Sequence, residues 1–436
     1  MRGGDELTPG SDLRFEERID SHEIRQKLAR LVSRQSVVED GFTESAVVAE
    51  VSEWCVADGF SPVLTEVAPG RPNLVVNFRG SKPGPTLLLE AHADTVTAGD
   101  LSAWTRPAFQ LTQEGDRLYG RGTADTKGNL VAAYLGVRAV VAATRGNFPG
   151  TIRFLVAIDE EDMMTGIRHF IAAGGASDVD GAICCEPEDA QVCISHKGAL
   201  RVRVEFYGKM AHGAMPLTGN NPLTPMARFL LTMQEEERAE QQAVGFDRYL
   251  GWPSITPTQI TSPIQGPSGF NVIPGSASVS LDIRTVPGQS HPDLVRRLQT
   301  RLDAVIGQAN ADLTTGQIRH LRNYLEESVE AGLYAAKLVL VDDRPVTNTP
   351  ISHPLVQCVA DAIKRSTGRP VVYAGVPGAT DGTWLWAQGI PVVTTGAGNR
   401  FIPHQVDEWV SLRQLVEMSA IYARSAYGFL SAGKKV

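Results

Sequence analysis

Two imidazoles and three carboxylates stand where side chains can hold a metal: His92, Asp125, Glu161, Glu186 and His404. Imidazole nitrogen with carboxylate oxygen is a mixed donor set that suits Zn, Mn or Co better than Ca or Mg. If one carboxylate bridges, the set can serve two metals about 3.5–4 Å apart, which share a water and deprotonate it near neutral pH. Glu160 adjoins Glu161, and adjacent residues at a strand end point different ways. One can therefore bind metal while the other stays free as a general base. Asp94 follows His92 by two residues, a place from which a carboxylate can orient a ligating imidazole. Each residue taken alone also has an ordinary use. A His after a strand can be simply hydrogen-bonded, and Asp125 can cap the helix that follows it. Asp159-Glu160-Glu161-Asp162 can be a solvated acidic run, and His404 lies in a loop close to Asp407 and Glu408.

Chemistry at these positions needs elements that bring them to one place. His92 follows the apolar run Leu87-Leu88-Leu89, and strands are expected at Leu74–Phe78, Thr86–Glu90, Ile152–Ile158 and near Gly181–Cys185. Between them lie helical patterns: Ser21–Gln35, with Ile24, Leu28 and Leu31 at helical spacing, then about Thr43–Asp58, around Leu130–Thr144, and from about Gly166. Strands alternating with helices argue for an α/β layered domain, whose ligands bind at the carboxyl ends of strands. The polar clusters fall at those ends.

After Lys197 the character changes. Leu200–Tyr207 and Ser276–Arg284 alternate as half-buried strands, and helices are expected over about Pro222–Glu240 and Pro292–Ile306. A Pro/Gly-rich stretch, Gly251–Gly275, lies between them. That pattern suggests a smaller α+β domain with a one-sided antiparallel sheet. The α/β rhythm returns near Val346, with a helix over Pro354–Ser366, a strand at Pro391–Thr394 and a last helix over about Ser411–Leu430. The fold class expected is therefore α/β, a discontinuous catalytic domain with a central mixed sheet over residues 22–198 and 346–436. A smaller α+β domain, residues 199–345, is inserted in it, and residues 1–21 form an N-terminal extension.

The bulk composition excludes several classes. Forty-one basic against 49 acidic residues give a formal charge of −8, with no basic cluster, so no nucleic-acid partner is expected. Five Cys (Cys55, Cys184, Cys185, Cys193, Cys358) form no C-x-x-C pair and no even framework, which fits a reduced, intracellular setting. The polar first 21 residues read as neither signal peptide nor membrane anchor. No apolar run of about 18 residues occurs, so no membrane span is expected and the cytoplasm is the expected location.

Taken in order, the motifs resemble the M20 family of co-catalytic metallohydrolases, which includes aminoacylases, acetylornithine and succinyl-diaminopimelate deacylases, dipeptidases and glutamate carboxypeptidases. The matching pieces are Glu90-Ala-His-Ala-Asp-Thr-Val96, Tyr119-Gly-Arg-Gly-Thr-Ala-Asp-Thr-Lys-Gly128, Asp159-Glu-Glu161 with Gly166, Cys185-Glu-Pro187 and Pro403-His-Gln-Val-Asp-Glu408. The resemblance implies His92, Asp125 and Glu186 around one metal, and Asp125, Glu161 and His404 around the other, with Asp125 bridging. It implies Asp94 as the orienting carboxylate and Glu160 as the base. One or two divalent transition metals per subunit are implied, Zn foremost, with Mn or Co as alternatives.

The inserted domain resembles the family's dimerisation lid, which implies a homodimer, with larger homo-oligomers open. Gly208-Lys-Met-Ala-His212 matches the motif whose His reaches a neighbouring subunit's site and steadies an oxyanion. Asn271 and Arg284 match lid positions that contact substrate, and Arg284 can clamp a carboxylate. A salt bridge to Asp282 is its plain alternative. Gly378, Thr380 and Asp381, in Gly-Ala-Thr-Asp-Gly382, match a loop beside the site. Glu at position 186, frequent in the family's deacylases, tilts the reading toward hydrolysis of an N-acyl amino acid or similar carboxylated amide, a small-molecule substrate.

Ala91, Gly213-Ala214 and Pro403 depart from the family's usual Gly, Ser-Ser and Ala. None removes a ligand, but they point to an unusual pocket or lid contact. An aminohydrolase of an activated, carboxylated aromatic amine of the nitroanthranilate type is one alternative, and a dipeptidase or carboxypeptidase another. A catalytically silent binding protein of the same fold is the alternative from a different class.

Overall fold

The run Leu87-Leu88-Leu89 is fully buried, as a strand covered on both faces must be. In the computed structural model, which describes residues 13–38, 40–315 and 332–433, it forms the middle of the strand Lys82–His92. The chain divides into two units: Met1–Ser195, Thr347–Val376 and Thr380–Val436 make the first, and His196–Val346 with Pro377–Ala379 the second. Residues 1–12 of the expected N-terminal extension lie outside the described residues. Farther on, Phe15 is buried in the short helix Phe15–Arg18, and its ring centroid lies 5.9 Å from that of Tyr427.

The first unit is built on a nine-stranded mixed sheet. Lys82–His92 pairs in parallel with Pro149–Ala157 on one side (His92 opposite Ala157) and with Gly181–Cys184 on the other. Val392–Thr394 continues the parallel stack beyond Gly181–Cys184. Arg71–Arg79 and then Val63–Ala68 are added antiparallel at one edge. Three parallel neighbours thus end at the same edge, and His92, Glu160 and Glu186 sit at or just past those ends. The helices Lys127–Thr144 and Leu412–Ala432 cross closely at Gly136. A Cβ there would lie 2.5 Å from the Ser419 carbonyl oxygen, so only glycine permits this approach.

The second unit is a four-stranded antiparallel sheet in the order Ser254–Thr261, Ser276–Thr285, Gly198–Tyr207, Ala335–Arg344. Inward residues Val202, Val204, Phe206, Leu281 and Ile283 pack against Phe229 and Met233 of the helix Leu223–Val244. They also pack on Leu294, Leu298 and Leu302 of the helix His291–Thr314. Alternation predicts the two inner strands. The outer pair departs from the expectation: Ser254–Thr261 runs through the stretch read as irregular, with its register broken between Pro257 and Gln259. A proline cannot donate to a ladder and is tolerated on an edge strand beside a bulge, which is where Pro257 lies.

Candidate metal centre

His92 closes its strand fully buried. Its Nε2 lies 3.0 Å from Asp125 Oδ1 and 3.7 Å from Glu186 Oε1. The other oxygen of Asp125 faces the second imidazole, with Oδ2 3.4 Å from His404 Nε2. His404 Nε2 in turn is 3.1 Å from Glu161. Asp125 therefore stands between two imidazoles, one oxygen toward each. Donor atoms of His92, Asp125 and Glu161 all lie within 4.8 Å of one another. Asp125 does not cap the helix Lys127–Thr144, whose N-cap residue is Thr126.

The acidic turn after Pro149–Ala157 is solvated only in part: Asp159 and Glu160 are buried, Glu161 is half-buried and Asp162 is exposed. Asp94 holds it, accepting from the amides of Glu160 (3.2 Å) and Glu161 (3.0 Å) while its Oδ1 sits 3.5 Å from His92 Nδ1. Asp159 adopts a left-handed conformation, φ 65°, and accepts from Thr165 Oγ1 at 2.7 Å, at the first residue of the next helix. Arg71 fixes it from the side, donating to Asp159 (2.8 Å) and, with two nitrogens, to the buried Glu44 (2.6 and 2.9 Å).

Charge in this pocket is unbalanced. Burial pushes the Glu160 and Glu186 carboxyls well above the usual range, and neighbouring carboxylates add to the effect against the pull of His92. Glu161 is pushed up to about 7 by burial and then by Asp125. Burial opposes a charged His92, yet Glu186, Asp125 and Asp94 outweigh it and hold the imidazole well above its ordinary value. Glu186 Oε1 is buried with no hydrogen-bond partner, although buried polar atoms are normally satisfied. A divalent cation fits that vacancy in bonding, the N/O donor set and the excess of negative charge together. His92, Asp125, Glu161, Glu186 and His404 are the residues able to hold it. Among the described residues the Glu160 carboxyl makes no protein hydrogen bond, so it is available to move a proton.

Several contributors were not singled out from sequence. Glu90, two residues before His92, is fully buried beside Asp381, and none of their four oxygens accepts a hydrogen bond. Burial raises both: Glu90 is pushed up to about 7 with Asp94 adding and His92 opposing, and Asp381 is held well above its ordinary value with repulsion from Glu90 adding to the burial. An acidic residue inside a doubly covered strand is the sequence signal that exposes Glu90. Asp381 is thus buried in the acidic cluster, while Thr380 accepts from the Gly382 amide at 3.2 Å. Glu408 closes the motif Pro403–Glu408, but nothing local there or around Arg71 indicates their partners, which are distant in sequence.

Residues His212, Asn271, Arg284 and Gly378 belong to the second unit. His212 is exposed on the strand Ala211–His212, paired with Val272–Ile273, and Asn271 accepts from the Gly213 amide at 2.7 Å. Arg284 is engaged with Asp282 at 2.7 and 3.0 Å, the plain alternative noted above.

A mixed sheet with imidazoles and carboxylates gathered at its carboxyl edge, interrupted by an α+β insertion, defines the class: a metal-dependent hydrolase of C–N bonds. Residues 88–427 match the model of peptidase family M20/M25/M40, and the chain belongs to that family. It is similar to a probable succinyl-diaminopimelate desuccinylase of Staphylococcus aureus, 26% identical over 389 residues that cover 84% of this chain and 88% of the relative. Among solved structures, it resembles an M20 family metallo-carboxypeptidase of Sulfolobus solfataricus (18% identity, 95% of this chain and 99% of the other, TM-score 0.71). It also resembles a dinuclear metal-binding M20 peptidase of Bacillus subtilis (15% identity, 96% and 99%, TM-score 0.66). No helix among the described residues is long and apolar enough to cross a membrane.

Proposed function

We propose that this protein deacylates an N-acyl amino acid or a similar carboxylated amide. The observation that carries the reading is the placement of Asp125 between His92 and His404, with Glu160 unengaged beside them. The likeness to desuccinylases supports a deacylase over a peptidase, as does Glu rather than Asp at position 186. His92, Asp125 and Glu186 would hold one divalent cation and Asp125, Glu161 and His404 a second, with Zn the metal best matched to the donors. When bound, the metal polarises the scissile carbonyl and brings the pKa of a water toward neutrality.

Glu160 is the group placed to take a proton from an attacking water and return it to the leaving nitrogen, a task its raised pKa suits. Asp94 holds His92 and the Glu160–Glu161 turn in place throughout. His212 accepts from the Ala214 amide at Nδ1 (3.0 Å), which leaves its proton on Nε2 as a donor for the developing oxyanion. We assign that donor to the site of a second copy of the chain, in a homodimer formed through the inserted unit. Arg284 recognises the substrate carboxylate by exchanging Asp282 for it.

The test is a metal-reconstituted screen of N-acetyl and N-succinyl amino acids, dipeptides and carboxylated aromatic amines, read by mass spectrometry. Deacylation that disappears in Glu160→Ala with metal content intact is the expected result. Near-normal turnover in that variant removes the base assignment, and ammonia release from the aromatic amines alone replaces deacylation with aminohydrolysis.

A further inference from the structure

Glu408 lies four residues beyond His404, and its side chain is 1% exposed. Its Oε2 accepts from Arg121 Nη1 at 2.6 Å and from the Gly122 amide at 3.0 Å, and its Oε1 from the amides of Ala124 at 2.8 Å and Asp125 at 3.1 Å. The Glu408 carbonyl also accepts from the Gly120 amide at 2.9 Å. Just beyond, Trp409–Ser411 pairs antiparallel with Arg117–Tyr119, Trp409 opposite Tyr119, which fixes the register of the two segments. One step before, Asp407 in a left-handed conformation (φ 53°) accepts from the Thr105 amide at 2.9 Å and its hydroxyl at 2.5 Å.

We propose that Glu408 is a positioning residue of the metal centre: it ties the loop that carries Asp125 to the segment that carries His404, and so sets the separation of those two donors. The inference rests on the reading of Asp125 and His404 as metal-holding residues. The loop needs such a tie. Gly120 and Gly122 adopt φ 151° and 82°, and the helix that begins at Lys127 has no side-chain cap to brace its entry. A carboxylate is acceptor-only and offers two oxygens to four donors, whereas the amide of Gln keeps one oxygen and turns an NH2 group on backbone N–H groups. Asp keeps the charge but is one methylene too short to reach both pairs of donors.

The experiment is a Zn2+ titration of the full metal-free chain against a chelating dye, well below the melting temperature, for wild type, Glu408→Gln and Glu408→Asp. Partners that orient metal ligands are worth about 10–100-fold in metal affinity, and a loss of that size is expected in Glu408→Gln with an unchanged circular dichroism spectrum. If Glu408→Gln does not fold, the same measurement on Glu408→Asp decides. A lowered melting temperature with wild-type Zn2+ affinity overturns the proposal, because Glu408 then serves stability alone. Recovery of affinity in Arg121→Met/Glu408→Gln also overturns it, since pairing of charge, and not the grip on the amides, then suffices. Wild-type Zn2+ affinity in both Asp125→Asn and His404→Ala would instead remove the metal centre itself.

Discussion

Asp94 grips the turn that presents Glu160 and Glu161, and Asp94→Asn isolates that grip. The residue is 4% exposed, and its two oxygens accept one backbone amide each, at 3.2 and 3.0 Å. Asparagine leaves one oxygen for one amide and sets its NH2 group against the other, orphaning a buried donor. An unsatisfied buried group costs about 1–3 kcal/mol, so the metal-free variant should lose about that much unfolding free energy. Asp94→Ala orphans both amides and should lose roughly 2–6 kcal/mol on the same basis. His92 Nδ1 is hydrogen-bonded to the Asp94 carbonyl at 3.1 Å and lies 3.5 Å from its carboxylate, so Asp94→Asn, which removes that charge and loosens the turn that presents Glu161, should lower Zn2+ affinity about 10–100-fold. Urea unfolding of the metal-free proteins and dye competition for Zn2+ measure the two quantities. Glu53→Gln is the control, since that carboxylate is 71% exposed and should stay within about 0.5 kcal/mol of wild type. Indistinguishable behaviour of Asp94→Asn and Glu53→Gln in both assays would refute the reasoning.

Arg71→Met strands the buried Glu44 and Asp159 carboxylates, and should cost about 3–5 kcal/mol in urea unfolding; a loss below 1 kcal/mol contradicts the ion-pair account. Gly136→Ala forces a Cβ onto the Ser419 carbonyl and should lower stability by about 1–3 kcal/mol, read as a fall in melting temperature. In the metal-free protein, Glu161 has its pKa raised from 4.5 to about 7, chiefly by burial, so its contribution is full below pH 4.5 and lost as pH rises through 7. His404, raised from 6.5 to about 10 by hydrogen bonds to Asp125 and Glu161, contributes fully below pH 6.5 and loses its contribution as pH rises through 10. Both act in one direction, so the melting temperature without metal should decline from about pH 5 to pH 7; above that, buried Lys127, its pKa lowered from 10.5 to about 7 by burial, adds stability as pH rises and opposes the loss from His404. Added Zn2+ should raise it most at the alkaline end, and a flat profile below about pH 7 excludes this electrostatic picture.

The parts of the molecule legible in sequence are those whose signal is local. Leu87-Leu88-Leu89 declares a doubly covered strand, and Ile24, Leu28 and Leu31 declare the buried face of the helix Ser21–Val32. His92, Asp125, Glu161, Glu186 and His404 are legible because each follows an apolar run or sits in a motif. Edge strands were harder. Val63–Ala68 is largely exposed and lacks a clean alternation, and Ser254–Thr261 hides behind its proline. The least legible contributors act across long sequence distances: Glu408 on amides some 283–286 residues earlier, and Arg71 on Asp159, 88 residues away. No local pattern encodes a hydrogen bond of that span.

The order of the donors along the chain has a consequence for synthesis. Glu186 leaves the ribosome before the inserted unit, and His404 only after it. The inserted unit returns the chain to its starting point by its own pairing, Arg344 opposite Ala199, so its folding closes the long loop that separates the fourth donor from the fifth. A nascent chain holding four donors carries the carboxylate repulsion with only half of its imidazoles. The cation-binding set proposed above is thus complete only once both the inserted unit and His404 have been made.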